Sequence, residues 1–145
     1  RNSIAEVHKN INWKKLLQPL QGLEAFLIDA SESGVKMGVV TSDDTDIAEE
    51  HLDLMNIHHF FHSIMGSDQI ELPKPFPLIG KKVCKEMNVN PNEVIVIGDT
   101  NGDMNLGKNL KAIASIGIVT DLDENADHLT DADYVINHYN QLSIT

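Results

Sequence analysis

The chain alternates between two hydrophobic periods. Continuous Val and Ile runs, of which residues 94–97 are the clearest, are typical of strands buried on both faces of a parallel sheet. Between these runs, apolar residues recur at the three- and four-residue spacing of one helix face. The alternation predicts an α/β fold with a parallel sheet covered by helices on both faces. The predicted helices span 4–17, 23–32, 46–55, 75–87 and 103–110, and the predicted strands span 35–40, 63–65, 93–97, 112–116 and 133–136.

Charge and composition then exclude several classes of function. The 145 residues include 11 Lys and Arg against 22 Asp and Glu, which gives a net charge of −11. Such an acidic chain is poorly suited to nucleic acid or an anionic membrane. No apolar run approaches the ~20 residues that cross a bilayer, and the single Cys84 cannot form an internal disulfide. We therefore expect a cytoplasmic protein with neither nucleic acid nor membrane as a partner.

A pair of acidic residues follows the clearest strand. Asp99 comes directly after Gly98, and Asp103 lies about one helical turn later. In open α/β sheets, ligands bind beyond the carboxyl ends of the strands. Two carboxylates on one short loop repel each other unless a cation lies close by, and oxygen ligands suit Mg²⁺. By themselves, however, these residues could equally be two solvated loop aspartates.

Two further groups fall at comparable strand–helix boundaries. Thr41 and Ser42 end the predicted strand 35–40, where hydroxyl and backbone N–H groups at a helix N-terminus can bind phosphate. Lys74 lies between two prolines, which restrict the backbone and thereby fix the direction of the ammonium group. Each group alone also fits a plain helix cap or a solvated lysine. The order of hydroxyl, lysine and acidic pair is more specific than any one member.

In this order the segments resemble the motifs of the haloacid dehalogenase superfamily of phosphohydrolases, and in particular its phosphoglycolate-phosphatase-like branch. The resemblance covers roughly residues 17–142. Five segments carry it, namely residues 20–23, 34–42, 72–77 (Leu-Pro-Lys-Pro-Phe-Pro), 98–104 (Gly-Asp-Thr-Asn-Gly-Asp-Met) and 132–136 (Ala-Asp-Tyr-Val-Ile).

This resemblance implies a three-layer Rossmann-like core and a Mg²⁺-dependent phosphatase. In the family, an aspartate attacks phosphorus to form an aspartyl-phosphate, and a second aspartate is the general acid and base. By the same resemblance, Thr41 and Ser42 would bind the phosphoryl oxygens, and Thr41 and Lys74 would be catalytic. Lys74 would offset the charge between the nucleophile and the phosphate, Asp99 would bind Mg²⁺, and Asp103 would hold the metal or its waters.

The family's first motif, Asp-x-Asp after an apolar strand, is absent. The nearest substitute, Asp29, lacks the second aspartate and lies in a segment with helical spacing. We therefore interpret residues 17–145 as a core without its central N-terminal strand, and residues 1–16 as the remnant of a helical cap or stalk. The whole protein would hydrolyse a small phosphate monoester with a nucleophile from outside this chain, and the chain alone would be inactive.

Other functions remain open from the sequence. The alternative from another class is a non-catalytic binding or regulatory domain that has lost the nucleophile. Within the family, phosphonate hydrolysis, sugar-phosphate mutation and dehalogenation are also possible. By the same resemblance, the missing strand would lie between the strands ending at Val40 and Ile97. It would come from the same protein or from another chain, or else those two strands would pair directly and close the gap.

Overall fold

A computed structural model describes residues 22–69, 78–119 and 125–143. The segment 1–16, the predicted helix 4–17, Lys74 and the start of the predicted helix 75–87 lie outside the described residues. Numbered in chain order, the described helices and strands are α1 (Leu23–Glu32), β1 (Gly38–Val40), α2 (Thr45–Leu54), β2 (Ser63–Met65), α3 (Leu78–Met87), β3 (Ile95–Gly98), α4 (Asn101–Leu110), β4 (Ala114–Ile118) and β5 (Tyr134–Ile136). None of the described helices is long and apolar enough to cross a membrane.

The strands form two parallel sheets. In the first, β1 pairs with β2, with Gly38 opposite Ser63. In the second, β4 lies between β3 and β5, with Ile95 opposite Ala114 and Ile116 opposite Tyr134. The α/β fold with parallel strands is thus confirmed. Within the described residues β1 and β3 each pair on one side only, so of the three alternatives the direct pairing of these two strands does not occur.

Side-chain packing joins the two sheets, which share no backbone ladder within the described residues. One buried cluster takes Val39 from β1, Ile116 and Ile118 from β4, and Ile136 from β5. The helices α1 and α2 contribute most of the rest, namely Leu23, Leu27, Ala48 and Leu52. A second cluster packs α3 and α4 beside β2. Because α2 supplies buried residues and β2 pairs with β1, both elements belong to the core.

Several element boundaries follow from local backbone chemistry. The helix predicted over 23–32 is confirmed, and it ends in a turn with Gly34 at φ +79°. The N–H of Val35 still bonds to the carbonyl of Ala30, so the first strand begins at Gly38 rather than at residue 35. Lys111 takes a left-handed conformation, φ 63°, after α4. That turn delays β4 to Ala114 instead of residue 112.

The strand β3 is less buried than its apolar sequence predicts. Ile95 is 52% exposed, and Val96 and Ile97 are only partly buried. The prediction of burial on both faces is therefore wrong for this strand. Within the described ranges β3 has a neighbouring strand only on the β4 side, which leaves its other edge uncovered by a strand.

Candidate active site

Thr41 lies at the carboxyl end of β1 and is 1% exposed. Its N–H donates to the carbonyl of Met65 at 3.1 Å, which continues the parallel ladder by one more bond. Its hydroxyl oxygen accepts from the N–H of Asp43 at 3.2 Å, and this bond turns the chain toward α2. Ser42 follows it in the same loop and is exposed. The two residues expected to bind phosphate therefore occupy a tight turn at the sheet edge.

A latch made by Thr45, Gly66 and Asp68 joins this turn to the loop after β2. The carboxylate Oδ1 of Asp68 accepts from the N–H of Thr45 at 2.7 Å and from its hydroxyl at 2.8 Å. The hydroxyl oxygen of Thr45 accepts from the N–H of Gly66 at 2.9 Å. We call these three residues the Thr45 latch. It fixes the loop that leads out of β2 toward residue 74.

The latch also shows how α2 begins. The N-cap residue Asp44 makes no side-chain capping bond. Asp68, from the next loop, accepts the bond at the first helical residue instead. The Thr45 hydroxyl, and then the Thr45 N–H, hold the pKa of Asp68 below its ordinary value of 3.8.

This cap makes a pH-dependent prediction. Asp68→Ala should lower the melting temperature at pH 7, because two bonds to a charged acceptor are lost. Since the pKa of Asp68 is lower in the folded chain, its stabilisation is present above pH 3.8 and is lost as pH falls through the folded value. The difference between wild type and variant should thus shrink below pH 3.8 in thermal melts. Asp46→Ala, in the same first turn, is the control and should change little. A difference that is independent of pH would contradict the cap.

Asp99 follows β3, and its carboxylate atom Oδ1 is buried. Its backbone carbonyl lies 3.1 Å from Nε2 of His128, and because a carbonyl only accepts, the ring N–H donates. Burial, and secondly the charge of Asp99, raise the pKa of Tyr139 far above its ordinary value. The Asp99 carboxylate therefore lies close enough to the buried Tyr139 for its charge to act on the phenol.

Asp103 is fully buried in the first turn of α4. Its Oδ2 accepts from the N–H and the hydroxyl of Thr100, at 3.2 and 2.9 Å. In return, the Thr100 hydroxyl oxygen accepts from the N–H of Asp103 at 3.3 Å. This reciprocal capping box starts α4 at Asn101 rather than at the predicted residue 103. The Thr-x-x-Asp pattern was a readable signal for it.

Gly98 lets Asp103 approach the end of β3. A Cβ placed on Gly98 would lie 2.5 Å from Oδ2 of Asp103 and equally close to its Cβ. The strand end and the helix start are thus in direct contact. Asp99 lies between them in the sequence.

The donor set agrees in kind with Mg²⁺. Asp99 and Asp103 offer carboxylate oxygens only, which hard cations prefer. Within the described ranges, however, no group of three or more His, Cys, Asp or Glu side chains is arranged to hold an ion. A complete site at this loop would need further oxygen ligands.

Asp29, the nearest substitute for a nucleophile, is exposed on α1. Its segment is helical as predicted, rather than a strand. Lys74 lies outside the described residues.

Sequence reasoning missed a cluster on α4. Nδ2 of Asn101 donates to Oδ2 of Asp131 at 2.8 Å, and Nδ2 of Asn105 donates to the same oxygen at 3.0 Å. The N–H of Asp131 donates back to Oδ1 of Asn101 at 2.9 Å. We call these three residues the Asp131 clamp. Asn105 and Asn101 lie 26 and 30 positions before Asp131 in the sequence, so no local pattern predicts the clamp.

The chain is similar to known proteins of one family. The sequence model of the haloacid dehalogenase-like hydrolases matches residues 1–118. A glyceraldehyde 3-phosphate phosphatase from Methanopyrus kandleri is 33% identical over 104 residues, which is 72% of this chain and 42% of the relative. The pyrophosphatase PpaX of Halalkalibacterium halodurans is 29% identical over 70% of this chain and 47% of its own length.

Solved structures agree with this assignment. The β-phosphoglucomutase from Clostridium difficile superposes with a TM-score of 0.73 and 28% identity, over 86% of this chain and 52% of that structure. The chain thus spans about half the length of the relatives that it matches. The chain belongs to the haloacid dehalogenase-like hydrolase family.

Proposed function

We propose that the protein is a Mg²⁺-dependent phosphatase that hydrolyses a small phosphate monoester through an aspartyl-phosphate. The observation that carries the proposal is the carboxyl end of β3. There the buried Oδ1 of Asp99 and the buried Asp103 lie on one loop, in a chain whose relatives include proteins named as phosphatases. Phosphonate hydrolysis, mutation and dehalogenation are the neighbouring reactions within the family.

The proposed reaction has two displacements. A carboxylate oxygen of the first aspartate attacks phosphorus while the bond to the ester oxygen breaks, and the second aspartate gives a proton to the leaving alcohol. Water then gives a proton to the second aspartate as it attacks the phosphorus of the aspartyl-phosphate, which releases inorganic phosphate and regenerates the first carboxylate. Thr41 and Ser42 bind the phosphoryl oxygens and Lys74 neutralises charge between nucleophile and phosphate. Asp99 would hold Mg²⁺, and Asp103 would fix the loop and hold the metal or its waters.

Electrostatic repulsion between the nucleophile and the substrate explains why a metal-binding acidic loop is needed. A carboxylate and a phosphate at ~4 Å repel by ~4 kcal/mol per charge pair at an effective dielectric of ~20. When bound, Mg²⁺ supplies the positive charge that offsets this repulsion. Lys74 would add a second, fixed cation. An acidic protein can therefore admit an anionic substrate only at such a point.

The open edges of β1 and β3 indicate where the nucleophile would enter. A parallel apolar strand between them would pair on both sides, and its carboxyl end would emerge between Thr41 and Asp99. It would also cover Ile95, which is 52% exposed in the described chain. We propose that this strand carries the Asp-x-Asp motif and comes from the same protein or from another chain.

Mg²⁺ titration followed by NMR tests the metal assignment. We expect weak, saturable shifts of the backbone amides of residues 98–104, because two carboxylates alone form an incomplete site. Asp99→Asn should abolish these shifts. Asp29→Asn, an equal change of charge on the exposed face of α1, is the control and should leave them intact. Unchanged shifts in Asp99→Asn would show that the metal binds elsewhere.

A non-catalytic binding domain is the competing function. One observation on Asp103 favours the non-catalytic domain, because the hydrogen bonds that its carboxylate accepts cap α4. Such a domain would bind a phosphorylated ligand at Thr41 without turning it over in any form of the protein. Turnover measurements with an added nucleophile strand separate the two functions.

A further inference from the structure

The segment 125–133 lies against the loop proposed to bind metal. His128 contacts the carbonyl of Asp99 at 3.1 Å, and three positions later Asp131 forms the clamp with Asn101 and Asn105. Asn101 is the first residue of α4, two positions after Asp99. The segment thus touches the loop on both sides of the capping box.

Within the clamp, Asp131 binds both polar atoms of the Asn101 side-chain amide. The amide nitrogen donates to the carboxylate of Asp131 and the amide oxygen accepts from its backbone N–H. Asn105, one turn later, donates to the same carboxylate oxygen and also to the carbonyl of Asn101 at 3.1 Å. Asn101 first, and then Asn105, lower the pKa of Asp131, so the bonds favour its charged form.

The far end of the segment is anchored as well. Oδ2 of Asp133 accepts from the N–H of Ser115 in β4 at 2.8 Å. Its Oδ1 pairs with Nζ of Lys108 on α4 at 3.2 Å. The clamp therefore ties the start of α4 to a segment that is itself held by β4, and not to a loose loop.

We propose that Asp131 is a positioning residue that sets the geometry of Asp99 toward Mg²⁺ by fixing the first turn of α4. This inference rests on the proposed function of the same loop. Mg²⁺ requires near-octahedral geometry at 2.0–2.1 Å, so small movements of a ligand weaken binding strongly. Removal of residues that orient metal ligands typically costs 10–100-fold in affinity.

The test compares Asp131→Ala and Asp131→Asn in the full chain by Mg²⁺ titration and amide hydrogen exchange. Asn keeps an oxygen that can accept from both Asn101 and Asn105 but removes the charge. We expect Asp131→Ala to weaken Mg²⁺ binding roughly tenfold and to speed exchange at residues 100–104. Asp131→Asn should stay within about twofold of wild type in affinity. Asp127→Ala, an exposed carboxylate of the same segment that is outside the clamp, is the control for charge and should match wild type.

Each other outcome overturns the inference in a distinct way. Equal weakening by both Asp131 variants would mean that its charge acts at a distance, without positioning. Faster exchange in Asp131→Ala with unchanged Mg²⁺ affinity would make the clamp purely structural. A wild-type chain whose amides 98–104 do not respond to Mg²⁺ would overturn the proposed metal site together with this inference, whereas the first two results leave that site standing.

Discussion

The 145-residue chain is expected to hydrolyse no small phosphate ester in the presence of Mg²⁺. The physical reason is the position of the nucleophile, which the family resemblance places on a strand between β1 and β3. Within the described residues, neither strand has a neighbour on that side. Steady-state assays with several small phosphate esters measure this directly. Turnover by the isolated chain that Asp29→Asn abolishes would place the nucleophile on α1 and contradict the assignment.

Supplying the strand should restore the reaction. The chain can be combined with a peptide that carries an apolar strand and Asp-x-Asp, or fused to such a strand at its N-terminus. We expect turnover to rise on the order of 10⁶-fold, the scale on which loss of a nucleophile acts in a hydrolase. A variant with Asn for the first aspartate of the added motif is the matched control. If a filled strand position gives phosphate binding but no turnover, the non-catalytic domain is the correct function.

Gly66→Ala should destabilise the chain by about 2–3 kcal/mol through overpacking. A Cβ on Gly66 would lie 2.3 Å from the carbonyl oxygen of Asp43 and 2.4 Å from the nitrogen of Thr45. Both are backbone atoms, so relief requires the two loops to separate. Separation would break the bond from the Ser67 N–H to that carbonyl, 2.9 Å long, and would open the Thr45 latch. Urea unfolding monitored by circular dichroism gives the free energy.

Gly102→Ala is the matched control for this substitution. Gly102 lies in the first turn of α4, and the nearest atom to an added Cβ is 3.6 Å away, an ordinary contact. Alanine should therefore stabilise the helix there by up to about 1 kcal/mol. If the two variants shift the urea midpoint equally, the close approach of the loops at Gly66 is wrong.

Much of the fold could be predicted because its signals are local. The helix Leu23–Glu32 and the strand Ser63–Met65 have the predicted bounds, since periodicity and a left-handed Gly34 are properties of short segments. The positions of Thr41 and Asp99 after β1 and β3 follow in the same way. A polar residue after an apolar run must lie at a sheet edge once the run forms a strand.

What could not be predicted depends on distant partners. Thr45 meets Asp68 across 23 positions, and Asn101 meets Asp131 across 30. Topology brings these pairs together, and neither segment encodes its partner. The predicted burial of Ile95 is wrong for a related reason. An apolar strand has the same sequence whether one or two neighbouring strands cover its edges. The Thr-x-x-Asp pattern at Thr100 is a local signal for the capping box, and the interpretation of the acidic pair as metal ligands did not use it.

The open edges of β1 and β3 have a consequence for cooperative unfolding. In the part of the chain that the structure describes, backbone hydrogen bonds run within β1–β2 and within β3–β4–β5, and the side chains of the shared core join the two sheets. Side-chain packing is lost more readily than a hydrogen-bonded ladder, as in compact denatured states. We therefore expect each sheet to be able to open while the other keeps its ladder, which amide hydrogen exchange would show as two levels of protection. A strand inserted between the two sheets would join them by backbone hydrogen bonds. The same residues that complete the chemistry would then also make the protein unfold in one cooperative transition.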